Sequence, residues 1–309
     1  MSNESHQFAV PASSANLGPG FRVLGLALDL TMRVRIETKK RGTTTIERHA
    51  GVVEQFDDPR HDPILRGLHA AATRFAIKLP PMHIVVDSDI PAACGLGTTS
   101  ASYACGLAAA SRFARDELPF ERLVTELVDL GGDPAHGSAS LVGGLVTCSE
   151  LRDEYGRTRY RVFPHALLDT WHFVVVCPAL QLGVAELARL LPASLPHATS
   201  ARTSGRVLGV LRALALGDEE LLGDCIEDEV HVPYRKHAAP GMGQAMAAAR
   251  AAGAAAATIS GAGPALVAMT THQERCDDIG AAMAEAYARH GVASRTLVLR
   301  ARDDGALRA

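Results

Sequence analysis

A short apolar strand, a glycine-bearing loop and a run of small residues follow one another in MHIVVDSDIPAACGLGTTSASYACGLAAASRFA, residues 82–114. That order sets a loop at the start of a helix, where uncapped backbone N–H groups and the positive end of the helix dipole attract phosphate. Glycines let the backbone come close to such a ligand. Thr98, Thr99 and Ser100 add hydroxyl groups, one of which can ligate Mg²⁺. The loop is not a Walker loop, because GxxxxGK[ST] is absent, and it lacks the GxGxxG of dinucleotide binders. Taken alone, it is equally well explained as a tight strand-to-helix turn packed on a neighbour.

The rest of the chain alternates strand-like and helix-like segments. FRVLGLALDLTMRVRIET (residues 21–38) has the period of a strand, and HDPILRGLHAAATRFAI (61–77) reads as a helix begun by an Asp-Pro pair. PFERLVTELVDL (119–130) predicts another helix, leading into the glycine-rich GGDPAHGSASLVGG (131–144). After the charged turn RDEYGRTR (152–159) comes an apolar strand, WHFVVVCP (171–178), so a domain boundary is expected between residues 149 and 171. We divide the chain into an N-terminal domain with the glycine loop, 1–160, and a C-terminal domain, 161–309. The alanine-rich run 245–257 reads as helix. Strands and helices mixed without strict alternation predict an α+β fold.

Several function classes are disfavoured. With 309 residues, 47% of them apolar, the chain can fill a sizeable core, yet it has neither a secretory leader pattern nor about 18 consecutive apolar residues. A cytoplasmic protein with no membrane partner is expected. Cys94, Cys105, Cys148, Cys177, Cys225 and Cys276 form no CxxC pair and read as reduced, mostly buried thiols. A net charge of -3 gives no footprint for nucleic acid, which leaves a small molecule as the partner.

Two further turns carry small residues. PASSANLGPGFRVLGLALDL (11–30) holds a Gly18-Pro19-Gly20 turn with Arg22 directly behind it. ISGAGPALVAM (259–269) sets Ser260, Gly261 and Gly263 between two apolar strands, as a plain hairpin or as a backbone wall for a ligand.

Together and in this order, PASSANLGPGF, GLGTTSA and SGAGPALVA resemble the three signature motifs of the GHMP kinases, most of all the homoserine kinases. LVGG (141–144), LARLLP (187–192) and HVPYR (231–235) extend the likeness. The resemblance implies a two-domain, GHMP-kinase-like α+β fold and transfer of the γ-phosphoryl of ATP to a hydroxyl. It assigns ATP to Pro91, Gly95, Leu96, Gly97, Thr98, Thr99 and Ser100 with Ser260, Gly261 and Gly263, and Mg²⁺ to Thr99 and Glu126, Asp129 being the alternative. It also suggests a homodimer.

Arg189 and Arg235 match the two arginines with which homoserine kinases hold a substrate carboxylate, and Asn16 of the opening motif is retained. Other acceptor positions depart. Arg22 stands where the family has an aspartate that pairs with the substrate ammonium group, and Ala185 replaces a threonine. His136, in DPAH, replaces the asparagine that approaches the reacting hydroxyl, and it can serve as a base or a hydrogen-bond partner there. We therefore expect a kinase acting on a hydroxy acid or amino acid related to homoserine, with a second acidic group meeting Arg22 in place of the amine. Arg22 turned outward onto Asp29 or Glu37 is the competing placement. An ordinary homoserine kinase of threonine biosynthesis and a non-catalytic binding protein are the other readings; a nicotinamide dehydrogenase is disfavoured by the missing GxGxxG.

Overall fold

The computed structural model describes residues 4–49 and 58–308. A first sheet contains β1 (Ser5–Ala15), β2 (Leu24–Thr38), β3 (Thr45–Arg48), β4 (Met82–Ser88), β5 (Leu145–Arg152) and β6 (Thr158–His165). Its order is β3-β4-β2-β5-β6, with β1 also paired to β2. Met32, Val34 and Ile36 of β2 are buried while Arg33, Arg35 and Glu37 point outward, as the alternation predicts. Leu24 to Leu28 of β2 are buried without a break, because α4 packs on them and the C-terminal segment pairs with them. The helices α1 (Pro63–Arg74), α2 (Thr98–Ser111), α3 (Phe120–Asp129) and α4 (Pro134–Val142) complete this half.

The second sheet is antiparallel, in the order β10-β7-β9-β8, from β7 (His172–Pro178), β8 (Ala256–Ile259), β9 (Leu266–Thr270) and β10 (Ser294–Leu299). With it are α5 (Val184–Arg189), α6 (His197–Leu216), α7 (Glu219–Cys225), α8 (Val232–Arg235), α9 (Met242–Ala251) and α10 (Cys276–Ala288). The fold is thus α+β.

Three details differ from the sequence reading. PASSA is not turn but the end of β1, paired with residues of β2. The alanine run does not stay helical: α9 stops at Ala251, Gly253 turns the chain at φ 96°, and the remaining alanines enter β8, because burial in the sheet outweighs propensity. The division after residue 160 falls inside β6, whose ladder with β5 runs to His165. The chain end returns to the first half, where Arg302 N–H donates to Ala27 C=O and Ala306 N–H to Ser140 C=O.

Asp62 begins α1 as expected, accepting from the Ile64 and Leu65 N–H groups. The same carboxylate accepts from Arg48 Nε at 2.9 Å and Nη2 at 2.6 Å, tying β3 to the helix start inside the protein. Removing one partner of a buried ion pair costs about 3–5 kcal/mol. Asp62→Ala is expected to lower unfolding stability by that order, read from urea denaturation.

Candidate active site

The three small-residue segments meet. In the glycine loop, Cys94 C=O accepts from Ala265 N–H at 2.7 Å and Leu96 C=O from Ser13 N–H at 3.1 Å. Gly95 C=O accepts from the Ser260 hydroxyl at 2.8 Å. Three successive carbonyls are therefore bound to the first and third motifs. Thr98 Oγ1 closes the loop onto Pro91 C=O at 2.9 Å. The first turn of α2 has no side-chain cap, Gly97 serving as its N-cap at φ 72°, so its amides are left for an anion. Thr99 is exposed there, and buried Ser100 accepts from Asp133 N–H at 3.2 Å.

The opening turn is held in an uncommon backbone shape. Asn16, Leu17 and Arg22 have φ of 74°, 44° and 59°, a region that side chains other than glycine rarely adopt. Both ends of the Asn16 amide enforce it: Nδ2 donates to Gly261 C=O at 2.7 Å and Oδ1 accepts from Arg22 N–H at 2.8 Å. From the other side, His231 Nε2 donates to Gly18 C=O at 3.1 Å and the His231 ring stacks on Phe21. Sequence reading missed His231 and Asp228, which accepts three backbone N–H bonds at the start of α8. HVPYR was the only available signal.

His136 occupies the junction, at 7% exposure. A Cβ at Gly97 or Gly261 would overlap its ring, so both glycines are needed for close approach. Its Nδ1 lies 2.9 Å from Ser13 Oγ, which also donates to the His136 C=O at 3.3 Å. A proton on Nδ1, with the Ser13 hydroxyl turned to the carbonyl, is the tautomer that leaves Nε2 as an acceptor. Nε2 faces Gly261, where a Cβ would overlap it.

Arg235 is also buried, at 5% exposure, its Nε donating to Leu187 C=O at 3.4 Å and its guanidinium resting over the Phe21 ring. Burial lowers its pKa, against the attraction of Asp228 and Asp133. Its Nη groups have no hydrogen bond among the described residues. Arg189 lies two residues beyond Leu187, at the exposed end of α5, near exposed Ala185. Arg22 is exposed and makes no ion pair with Asp29 or Glu37: Asp29 accepts from Arg300 N–H and Glu37 pairs with Arg35. Its charge is felt at Cys148 and Tyr160, where β5 and β6 border the site.

Glu126 is engaged elsewhere, with Oε1 2.9 Å from Arg74 Nε, on a cavity of about 610 Å³ between α1 and α3. Burial raises its pKa, against the pull of Arg74. Among the described residues no cluster of three or more His, Cys, Asp or Glu could hold a metal. Mg²⁺ takes one or two protein oxygens and completes its shell with phosphates and water. The hydroxyl of Thr99 and the free oxygen of Glu126 are oxygen donors of the right kind. All six cysteines are free thiols.

The GHMP kinases N terminal domain model matches residues 64–146 and the GHMP kinases C terminal model residues 210–289. A homoserine kinase of Parasynechococcus marenigrum is 31% identical over 308 residues, covering 96% of this chain and 93% of that protein. The chain belongs to the GHMP kinases. A Prochlorococcus marinus homoserine kinase is 32% identical over 305 residues, covering 96% of this chain and 93% of its own. The crystal structure of homoserine kinase from Cytophaga hutchinsonii superposes on this GHMP kinase with a TM-score of 0.85 at 22% identity, covering 99% of this chain and 97% of that one. L. major mevalonate kinase in complex with R-mevalonate gives 0.72 at 14% identity, with 99% and 98% covered. The enzyme is accordingly a kinase that phosphorylates a hydroxyl group. No described helix is long and apolar enough to cross a membrane.

Burial holds the His136 and His231 pKa values below the usual 6.5, and Asp133 and Asp228, respectively, oppose that shift. The unfolded chain binds protons near 6.5 that the folded chain refuses, so a penalty absent above that pH grows as pH falls toward the folded values. Unfolding midpoints in urea are expected to drop from pH 7 to pH 5, and His136→Asn to flatten part of that slope.

Proposed function

We propose that this kinase transfers the γ-phosphoryl of ATP to the hydroxyl of a small, carboxylate-bearing alcohol of the homoserine type. The observation that carries this is Arg235, a buried guanidinium with free Nη groups beside the junction of the three motifs. A charge buried without an acid within 4 Å is costly unless a ligand completes it, and a guanidinium suits a carboxylate. Arg189 supplies a second positive group from α5. The 31% identity to homoserine kinases over nearly the whole chain points the same way.

In this reading the amides and hydroxyls of residues 95–100 hold the triphosphate, with Ser260, Gly261 and Gly263 as the facing wall. Asn16 fixes the opening turn against that wall. Mg²⁺, when bound through Thr99 and Glu126, neutralises phosphate charge. The acceptor oxygen forms the new bond to the γ-phosphorus, the bond to the β,γ-bridging oxygen breaks to release ADP, and His136 Nε2 takes the hydroxyl proton. The halves meeting at this site correspond to an N-terminal nucleotide-loop domain and a C-terminal domain, with the boundary moved from residue 160 to the end of β6 at His165.

A second reading has one observation in its favour. Arg22 sets a positive charge where homoserine kinases carry an acid, which suits an acceptor bearing a second acidic group instead of an amine. ADP release with MgATP separates the two: L-homoserine against amine-free and diacidic hydroxy acids. Arg235→Ala is expected to raise the acceptor KM roughly 100-fold, the scale of a lost charge-assisted pair, while the KM for ATP stays put. An equal rise in both constants would remove Arg235 from acceptor binding.

A further inference from the structure

Phe21, the last residue of PASSANLGPGF, carries no polar group, yet two buried residues of the second half are built around its half-buried ring. The His231 ring stacks on it, with centroids 5.4 Å apart and planes inclined by 30°. The guanidinium carbon of Arg235 lies over it, 5.5 Å from its centroid. His231 and Arg235 are one helical turn apart, the Arg235 N–H donating to the His231 C=O at 3.0 Å. An aromatic residue of the opening turn is thus clipped between the two ends of α8.

Both sides of the clip are fixed by bonds of their own. Asp228 accepts from the Val230, His231 and Val232 N–H groups at 3.0, 2.7 and 2.7 Å, which sets the start of α8. In the opening turn, Gly18 C=O accepts from His231 Nε2 at 3.1 Å and Asn16 Oδ1 from Arg22 N–H at 2.8 Å. A Cβ at Gly18 would overlap the Ile226 C=O, so the turn and the segment before α8 are also in close backbone contact. The Phe21 ring is therefore held where it is whether or not a ligand is present.

An arginine side chain has many rotamers, and a bidentate grip on a carboxylate needs one of them. Here Nε is committed to Leu187 C=O at 3.4 Å, and the face of the guanidinium is committed to Phe21. An edge and a face fix the orientation of a planar group, and the Nη donors are what remains for a ligand. We propose that Phe21 is a positioning residue for the acceptor: its ring holds the Arg235 guanidinium in the orientation that meets the acceptor carboxylate. The same turn is bonded through Asn16 Nδ2 to Gly261 C=O at 2.7 Å, so the arginine is aimed relative to the wall assigned to ATP. The inference rests on the reading of Arg235 as the partner of that carboxylate, and it adds the residue that aims it.

The test is steady-state kinetics of the full-length enzyme with MgATP and whichever of L-homoserine, 4-hydroxybutanoate and malate it turns over fastest. Phe21→Leu keeps the apolar bulk and removes the aromatic face; it should raise the acceptor KM about tenfold, with the KM for ATP unchanged. Phe21→Met serves the same purpose if Phe21→Leu does not fold. Phe21→Tyr keeps the face and should stay within about twofold of wild type. Added to Arg235→Ala, Phe21→Leu should raise the acceptor KM no further, because the ring acts through the guanidinium. A rise of both KM values, a loss in Phe21→Tyr as large as in Phe21→Leu, or a full further rise on the Arg235→Ala background would make Phe21 a packing residue and overturn the proposal. An unchanged acceptor KM in Phe21→Leu, with Arg235→Ala raising it, would overturn the proposal and leave the Arg235 reading standing. Arg235→Ala without a selective effect on the acceptor, or turnover of none of the three compounds, would overturn both.

Discussion

The site depends on where three consecutive carbonyls go. Cys94, Gly95 and Leu96 each give their C=O to the first or third motif, through Ala265 N–H, the Ser260 hydroxyl and Ser13 N–H. With the carbonyls committed outward, the loop and the uncapped start of α2 present donors on the remaining side. Segments separated by most of the chain thereby share one short backbone network, and neither sheet could shift without breaking it. The two halves are further joined by the His231 bond to Gly18 C=O and by the return of the chain end to Ala27 and Ser140.

Much of this was legible because it is written in residue types that have local causes. Asp-Pro before an apolar stripe marks the start of α1, and a glycine loop between strand and small-residue helix marks the uncapped start of α2. What was not legible depends on distant partners. The Ala245 to Ala257 stretch carries one propensity throughout, yet its end is claimed by the second sheet once Gly253 turns the chain. Glu126 looks like a free carboxylate in sequence, and only folding brings Arg74 to it. His231 was invisible for the same reason: its importance is a contact with a turn more than two hundred residues earlier.

His136 illustrates how packing narrows what a residue type can do. A histidine at that position has two nitrogens and two tautomers, and sequence leaves all options open. Ser13 ties the two choices together: with its hydroxyl turned to the His136 carbonyl, Nδ1 is the donor and Nε2 the acceptor. Burial then keeps the ring neutral against the nearby Asp133 charge, which is the state in which a nitrogen can accept a proton.

The division of labour between backbone and side chains explains why the departures from the family fall where they do. A nucleotide site made of peptide amides and glycine approaches is nearly indifferent to which side chains surround it, since no substitution outside the glycines deletes an N–H except proline. In the proposed reading, acceptor recognition is made of side-chain charges, Arg235 held inside by Leu187 and Phe21 and Arg22 at the border of β5 and β6. Each of these can be exchanged one at a time at a cost set by electrostatics alone. The constraint that survives exchange is the balance of charge in a part-buried space, where an unmatched ion is expensive. A pocket that loses an acid at one wall therefore has two stable outcomes: a substrate with the opposite charge, or a second acid elsewhere on the wall.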